Sequence, residues 1–94
     1  MTHEQIHLLV SGHVQGVGFR YATVSEARRY KLTGWVRNLP DQTVEILAQG
    51  PPDLLIPFLE WCYKGPPQSQ VEKVTVVNRQ VLNERTFLSF EIVR

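Results

Sequence analysis

Hydrophobic positions along the chain fall into short bursts separated by glycine, proline and polar residues, and their periods differ from burst to burst. Ile6-His7-Leu8-Leu9-Val10 is a compact apolar run with β character that stops at Ser11-Gly12, which predicts a first strand over about 5–12. From Tyr21 to Leu32 the segment YATVSEARRYKL is rich in helix formers. Phe19, Thr23, Ala27 and Tyr30 recur at helical spacing, so the segment predicts a helix with one inward face, and Gly34 reads as its C-terminal stop. Two further β-like runs, 34–38 and 43–48, flank Leu39-Pro40-Asp41-Gln42, whose Pro and Asp suit a hairpin turn.

Gly50-Pro51-Pro52-Asp53 then opens a second helix that carries Leu54, Leu55, Phe58, Leu59 and Cys62 on one face and is closed by Gly65-Pro66-Pro67. Pro57 lies inside that pattern, so either the regular helix starts near Leu55 or its first turn loses a hydrogen bond. The run 71–77, with Val74 and Val76 facing one way, predicts a strand. Residues 86–93, with Leu88, Phe90 and Ile92 alternating, predict another, and Asn83-Glu84-Arg85 is the bend between them. The order is βαββαβ plus a C-terminal strand, an α+β two-layer sandwich of the ferredoxin-like kind: an antiparallel sheet with two helices on one face.

Composition narrows the function classes. At 94 residues with 43% hydrophobic content the chain is expected to be a single domain over 1–94 with one core. Ten Lys and Arg against nine Asp and Glu leave a net charge of +1, so a nucleic-acid binder that neutralises many phosphates is disfavoured and any anion site must be local. No apolar run reaches the length of a membrane span, and the N-terminal residues lack the pattern of a signal peptide, so no membrane association and a cytoplasmic location are expected. A single cysteine, Cys62, excludes an intramolecular disulfide.

The chemistry concentrates in Gly12-His13-Val14-Gln15-Gly16-Val17-Gly18-Phe19-Arg20, three glycines in seven residues followed by an aromatic and an arginine. Glycine inside an element costs about 0.5–1 kcal/mol relative to alanine, so the cluster marks a backbone that must turn sharply or cradle an anion. The stretch joins a strand to a helix N-terminus, where free N–H groups and the helix dipole favour negative charge. Arg20 adds a planar, permanently charged fork suited to phosphate oxygens. No G-x-x-x-x-G-K-[ST] pattern occurs, so this is not a Walker loop. On composition alone, turn and cradle remain open.

Taken with Gly34-Trp35-Val36-Arg37-Asn38 and Gly50-Pro51, the glycine stretch resembles the acylphosphatase family over nearly the whole chain. The resemblance implies hydrolysis of acyl phosphates to a carboxylate and inorganic phosphate, without metal or cofactor, on a ferredoxin-like fold. It implies that the backbone N–H groups of Gln15, Gly16, Val17, Gly18, Phe19 and Arg20, with the Arg20 guanidinium, bind the phosphoryl group. It implies further that Asn38 orients the attacking water. An amide offers one donor and one acceptor but is a poor base, which suits orientation rather than proton abstraction. The expected partners are a small-molecule acyl phosphate and inorganic phosphate, the latter as product and competing ligand; no nucleic acid is expected, and a monomer is favoured. Asp41-Gln42 stands where many relatives have Asp-Gly, which leaves the turn type open. In some relatives the terminal carboxylate meets the active-site arginine, so a pairing of the Arg94 carboxylate with Arg20 is a further expectation.

Other chemistry-bearing residues read more simply. His13 lacks an orienting carboxylate and reads as a rim residue, and His3 with His7 lacks a third metal ligand. Cys62 reads as a small core hydrophobe, and Trp35 and Trp61 as packing residues. Arg37 reads as a solvated charge or as a border of the substrate entrance, Arg28, Arg29 and Lys31 as a solvated helix face, and Thr23 as a support that bonds to the glycine loop. Two rival functions share the fold: an RNA-binding module, which would show paired sheet aromatics and a basic field, and a domain of a larger carbamoyl-transferring protein.

Overall fold

The computed structural model describes residues 2–94. Strand β1 (His3–His13) leads to helix α1 (Phe19–Arg29), the pair β2 (Thr33–Asn38) and β3 (Val44–Gly50), helix α2 (Pro52–Lys64), and strands β4 (Gln70–Leu82) and β5 (Phe90–Ile92). The sheet order is β4-β1-β3-β2-β5. Alternation decides which side is dry: Ile6, Leu8 and Val10 of β1, Val36 of β2, and Val44, Ile46 and Ala48 of β3 are buried. They form one core with Phe19 and Ala27 of α1, Leu55, Phe58 and Cys62 of α2, and Phe90 of β5. Burial pushes the Cys62 thiol well above its ordinary range, as expected of an inert core residue.

The expected ferredoxin-like sandwich is present, but the sheet is mixed rather than antiparallel throughout. β1–β3, β1–β4 and β2–β3 are antiparallel, whereas β5 lies parallel to β2. The reason is topological. β4 finishes at the end of the sheet where β2 begins, and the chain crosses to the far edge before rising beside β2. Fully buried Gln49 holds this crossing, accepting from the backbone N–H groups of Thr86 (2.9 Å) and Phe87 (3.3 Å) and donating to Gln5 and Thr86 (both 2.7 Å).

Several boundaries differ from expectation. The last strand shrinks to Phe90–Ile92, and Leu88 is fully exposed because it lies on the crossing. β4 instead runs on to Leu82, pairing along β1 through bulges at His7/Leu8 and Ser11/Gly12; Val74 is buried but Val76 is exposed on this edge strand. Gly12 is therefore inside a strand at a bulge, not a terminator. Gly34 is not the stop of α1 either. The helix ends at Arg29, and Lys31 takes the left-handed position (φ 57°). Leu32 N–H then donates to the Ala27 carbonyl (2.9 Å) and Lys31 N–H to that of Arg28 (3.0 Å), a Schellman closure. Gly34 lies in β2, where a Cβ would run into the Leu47 carbonyl. α2 starts at Pro52, so Pro57 sits within it and forfeits the bond to the Asp53 carbonyl in the solvent-facing first turn.

Candidate active site

The segment between β1 and α1 gives the glycines their reason. Gly16 (φ 75°) and Gly18 (φ 78°) both adopt left-handed backbone, and a Cβ at either would meet nothing within 4 Å. Steric crowding by the protein does not require glycine there; backbone conformation does, since a side chain in that region costs about 1–2 kcal/mol. Gly18 is the N-cap of α1, its carbonyl accepting from Ala22 N–H (3.0 Å), yet no side chain caps the helix and no acidic residue lies in its first turn. Arg20 is the second helical residue and takes part in none of the ion pairs among the described residues. A cation beside uncapped N–H groups is electrostatically unfavourable until an anion arrives.

Asn38 ends β2 on the helix-facing side of the sheet, in step with Val36. Its Oδ1 is buried and has no partner among the described residues. An unmet buried acceptor costs about 1–3 kcal/mol, which a bound water or ligand group would recover. Asn38, Gly16, Gly18, Phe19 and Arg20 together line a narrow cavity of about 200 Å³, completed by Val14 and Tyr21.

The loop and the hairpin are tied by Gln15. Its Nε2 donates to the carbonyls of Leu39 (2.8 Å) and Thr43 (2.9 Å), so one carboxamide spans both sides of the turn that follows Asn38. That turn closes through Leu39 N–H to the Thr43 carbonyl (2.9 Å), with Gln42 left-handed at φ 75° where glycine would be easier. Asp41 Oδ1 accepts from the Thr43 hydroxyl (2.5 Å) and N–H (3.1 Å), and these bonds hold its carboxyl below the usual range.

A sequence model of the family described as Acylphosphatase matches residues 6–92. The chain belongs to the acylphosphatase family. It is 49% identical over 86 residues to the acylphosphatase of Marinobacter nauticus, a match covering 92% of this chain and 94% of that one. With the acylphosphatase of Trichormus variabilis it shares 50% identity over 72 residues, 77% of this chain and 71% of that one. The crystal structure of acylphosphatase from Bacillus subtilis superposes with a TM-score of 0.87 at 40% identity, covering 97% of this chain and 99% of that one. The enzymatic activity of the chain is acylphosphatase activity.

Of the expected site residues, Gly16, Gly18, Phe19, Arg20 and Asn38 meet at the cavity; the side chain of Gln15 turns to the hairpin and that of Val17 packs against the core, which leaves the part expected of their backbone N–H groups untouched. The role of the Gln15 carboxamide was not legible in sequence, because it depends on where two carbonyls of a distant turn point. The pairing of the Arg94 carboxylate with Arg20 is not formed: no ion pair among the described residues joins them. Thr23 bonds to the end of the glycine stretch, its hydroxyl donating to the carbonyl of Phe19, which is also the first residue of α1 (2.8 Å). His13 is exposed and does not line the cavity.

Arg37 is neither freely solvated nor at the cavity. It lies on the opposite face of the sheet, its Nε donating to Glu45 Oε1 (2.5 Å) and its guanidinium 5.3 Å from the Trp35 ring. His7 Nε2 meets the other Glu45 oxygen at 2.7 Å. Burial raises the Glu45 pKa, but the bonds and charges of Arg37 and His7 outweigh it and hold the carboxylate below its ordinary range. Trp61 packs as expected, against Phe19 (5.6 Å) and Phe58 (6.4 Å). Arg28 is partnered, donating to the Phe90 carbonyl (3.1 Å) and meeting Glu91 at 3.4 Å. No helix among the described residues is long and apolar enough to cross a membrane.

Proposed function

We propose that this acylphosphatase works by in-line attack of a water on a phosphoryl group seated at the N-terminus of α1. The backbone N–H groups of Gln15 to Arg20 and the Arg20 guanidinium hold the equatorial oxygens, where negative charge resides through the transition state. Asn38 positions the water. The water oxygen forms its bond to phosphorus as the bond from phosphorus to the acyl oxygen breaks. The electron pair leaves with the carboxylate, and the water's proton passes to the phosphate. A carboxylate leaves readily, so neither a strong general acid nor a Lewis acid is required, and no cofactor is assigned. Phosphoryl transfer is then a matter of position and charge. Gln15 supports the arrangement from outside, holding the cradle and the water-binding strand end at a set separation.

The observation that carries this reading is the meeting, in one small cavity, of a helix N-terminus without a side-chain cap, an arginine outside the ion pairs and a buried amide oxygen with no partner among the described residues. The reading extends to a single domain acting as a cytoplasmic monomer on small acyl phosphates, without nucleic acid or membrane partners. Acetyl phosphate with chelator present is the direct test: hydrolysis well above background, competitively inhibited by inorganic phosphate, is expected. Loss of activity on chelation, or indifference to phosphate, would defeat the mechanism.

A further inference from the structure

The phosphoryl cavity, at about 200 Å³, has room for a phosphoryl group, a water, whose share of liquid is about 30 Å³, and a short acyl group, but not for a chain of medium length. A longer acyl chain must extend outside it. Two larger grooves of about 500 Å³ border the molecule. The one at the C-terminal end of α2, around Trp61 and Pro67, shares no residue with the phosphoryl cavity. The other, between α1 and β5, shares Tyr21.

Tyr21, Val24, Ser25 and Arg28 make one stripe down α1, and Glu91 and Ile92 of β5 form the facing wall. At 1.5 Å per residue the stripe runs about 10 Å from Tyr21 to Arg28, comparable to an extended chain of about eight carbons. Asn38 reaches the cavity from β2 and Tyr21 from α1, and Tyr21 is the residue that the cavity and the groove share. The lining is apolar where the chain would lie, at the Tyr21 ring, Val24 and Ile92. Its charges, Arg28 and Glu91, are already paired at 3.4 Å at the far end. Arg28 is the one cation among the described residues that line the groove, and its guanidinium already meets Glu91 and the Phe90 carbonyl.

Resting on the acylphosphatase mechanism above, we infer that the groove between α1 and β5 is the acyl subsite and that it selects acyl phosphates with a neutral, apolar chain of medium length. The groove is open to solvent along one side. Its selectivity is therefore far below the several-thousand-fold that full burial of six methylenes would bring.

The test compares octanoyl phosphate with acetyl phosphate, whose leaving carboxylates are of similar basicity, so chemical lability does not separate them. For the unmodified enzyme kcat/KM is expected to be about tenfold higher for octanoyl phosphate. Ser25 is exposed at mid-groove, so Ser25→Trp, which fills the groove, and Ser25→Glu, which charges it, are both expected to fold, as thermal melting checks. Each should bring the ratio of the two kcat/KM values to about one. An octanoyl advantage absent from the unmodified enzyme, or surviving in both variants, would overturn the subsite. So would faster turnover of a chain of equal length ending in a carboxylate. If the unmodified enzyme left acetyl phosphate intact, the underlying mechanism would be at fault instead.

Discussion

The two helices of this sandwich begin in opposite ways. α2 opens on Pro51 and Pro52, with Asp53 in its first turn, and the Pro51 carbonyl accepts from Leu54 (3.0 Å) and Leu55 (3.1 Å). Its missing donors and its negative charge are those that a helix N-terminus favours. α1 opens on a left-handed glycine with no cap and no acidic residue, and it places a cation where the dipole is already positive. Its other end obeys the usual rules, with Arg28 and Arg29 in the last turn and a Schellman closure. The departure is thus confined to the end that meets Asn38. Local rules broken at a helix start that borders a cavity are what a site completed by ligand, rather than by protein, is expected to show.

Substitutions at the two helix starts should therefore have different consequences. Arg20→Ala has the largest expected effect, a loss of about 10³–10⁵ in turnover on acetyl phosphate together with loss of inhibition by inorganic phosphate. Steady-state kinetics with phosphate titration measure both. Asn38→Ala is expected to lower kcat about 10²-fold while phosphate still inhibits at its former concentration, because water is misplaced but the cradle remains. Turnover retained in a folded Asn38→Ala protein would remove the residue from the mechanism.

The next pair of variants makes the comparison reciprocal. Tyr21→Glu gives α1 the first-turn carboxylate it lacks, and it should raise stability to denaturant by about 0.3–1 kcal/mol. The same charge should raise the phosphate concentration needed for half inhibition about tenfold, since it competes for the same N–H groups and guanidinium. Asp53→Ala removes the corresponding carboxylate from α2 and is expected to lower stability by about 0.3–1 kcal/mol with kcat/KM unchanged. Equal functional effects at the two helices would mean that α1 is not specialised.

Much of this was legible before any fold was known. Alternation in Ile6-His7-Leu8-Leu9-Val10 and the helical spacing of Phe19, Thr23 and Ala27 identified the inward faces, because burial acts residue by residue along an element. The glycine stretch with Arg20, read beside Asn38, pointed to the residues that now share a cavity. Less legible were features that depend on distant partners. Leu88 alternates with Phe90 as a strand residue should, yet it is exposed because the chain there is crossing the sheet rather than pairing. Gly34 follows a helix as a stop residue would, but Lys31 takes that conformation and Gly34 serves a close approach to Leu47 instead.

The sequence by itself determined the order of elements, the inward faces of β1, α1 and α2 and the residue types able to hold a phosphoryl group, since these follow from local periodicity, backbone freedom and side-chain chemistry. Only the tertiary structure decided that β5 rises parallel to β2, that Arg37 turns away from the cavity to Glu45, and that Gln15 reaches the turn after Asn38. Each of those outcomes is a pairing between groups 8 or more residues apart in the chain. Neither partner carries in its own neighbourhood any mark of the other.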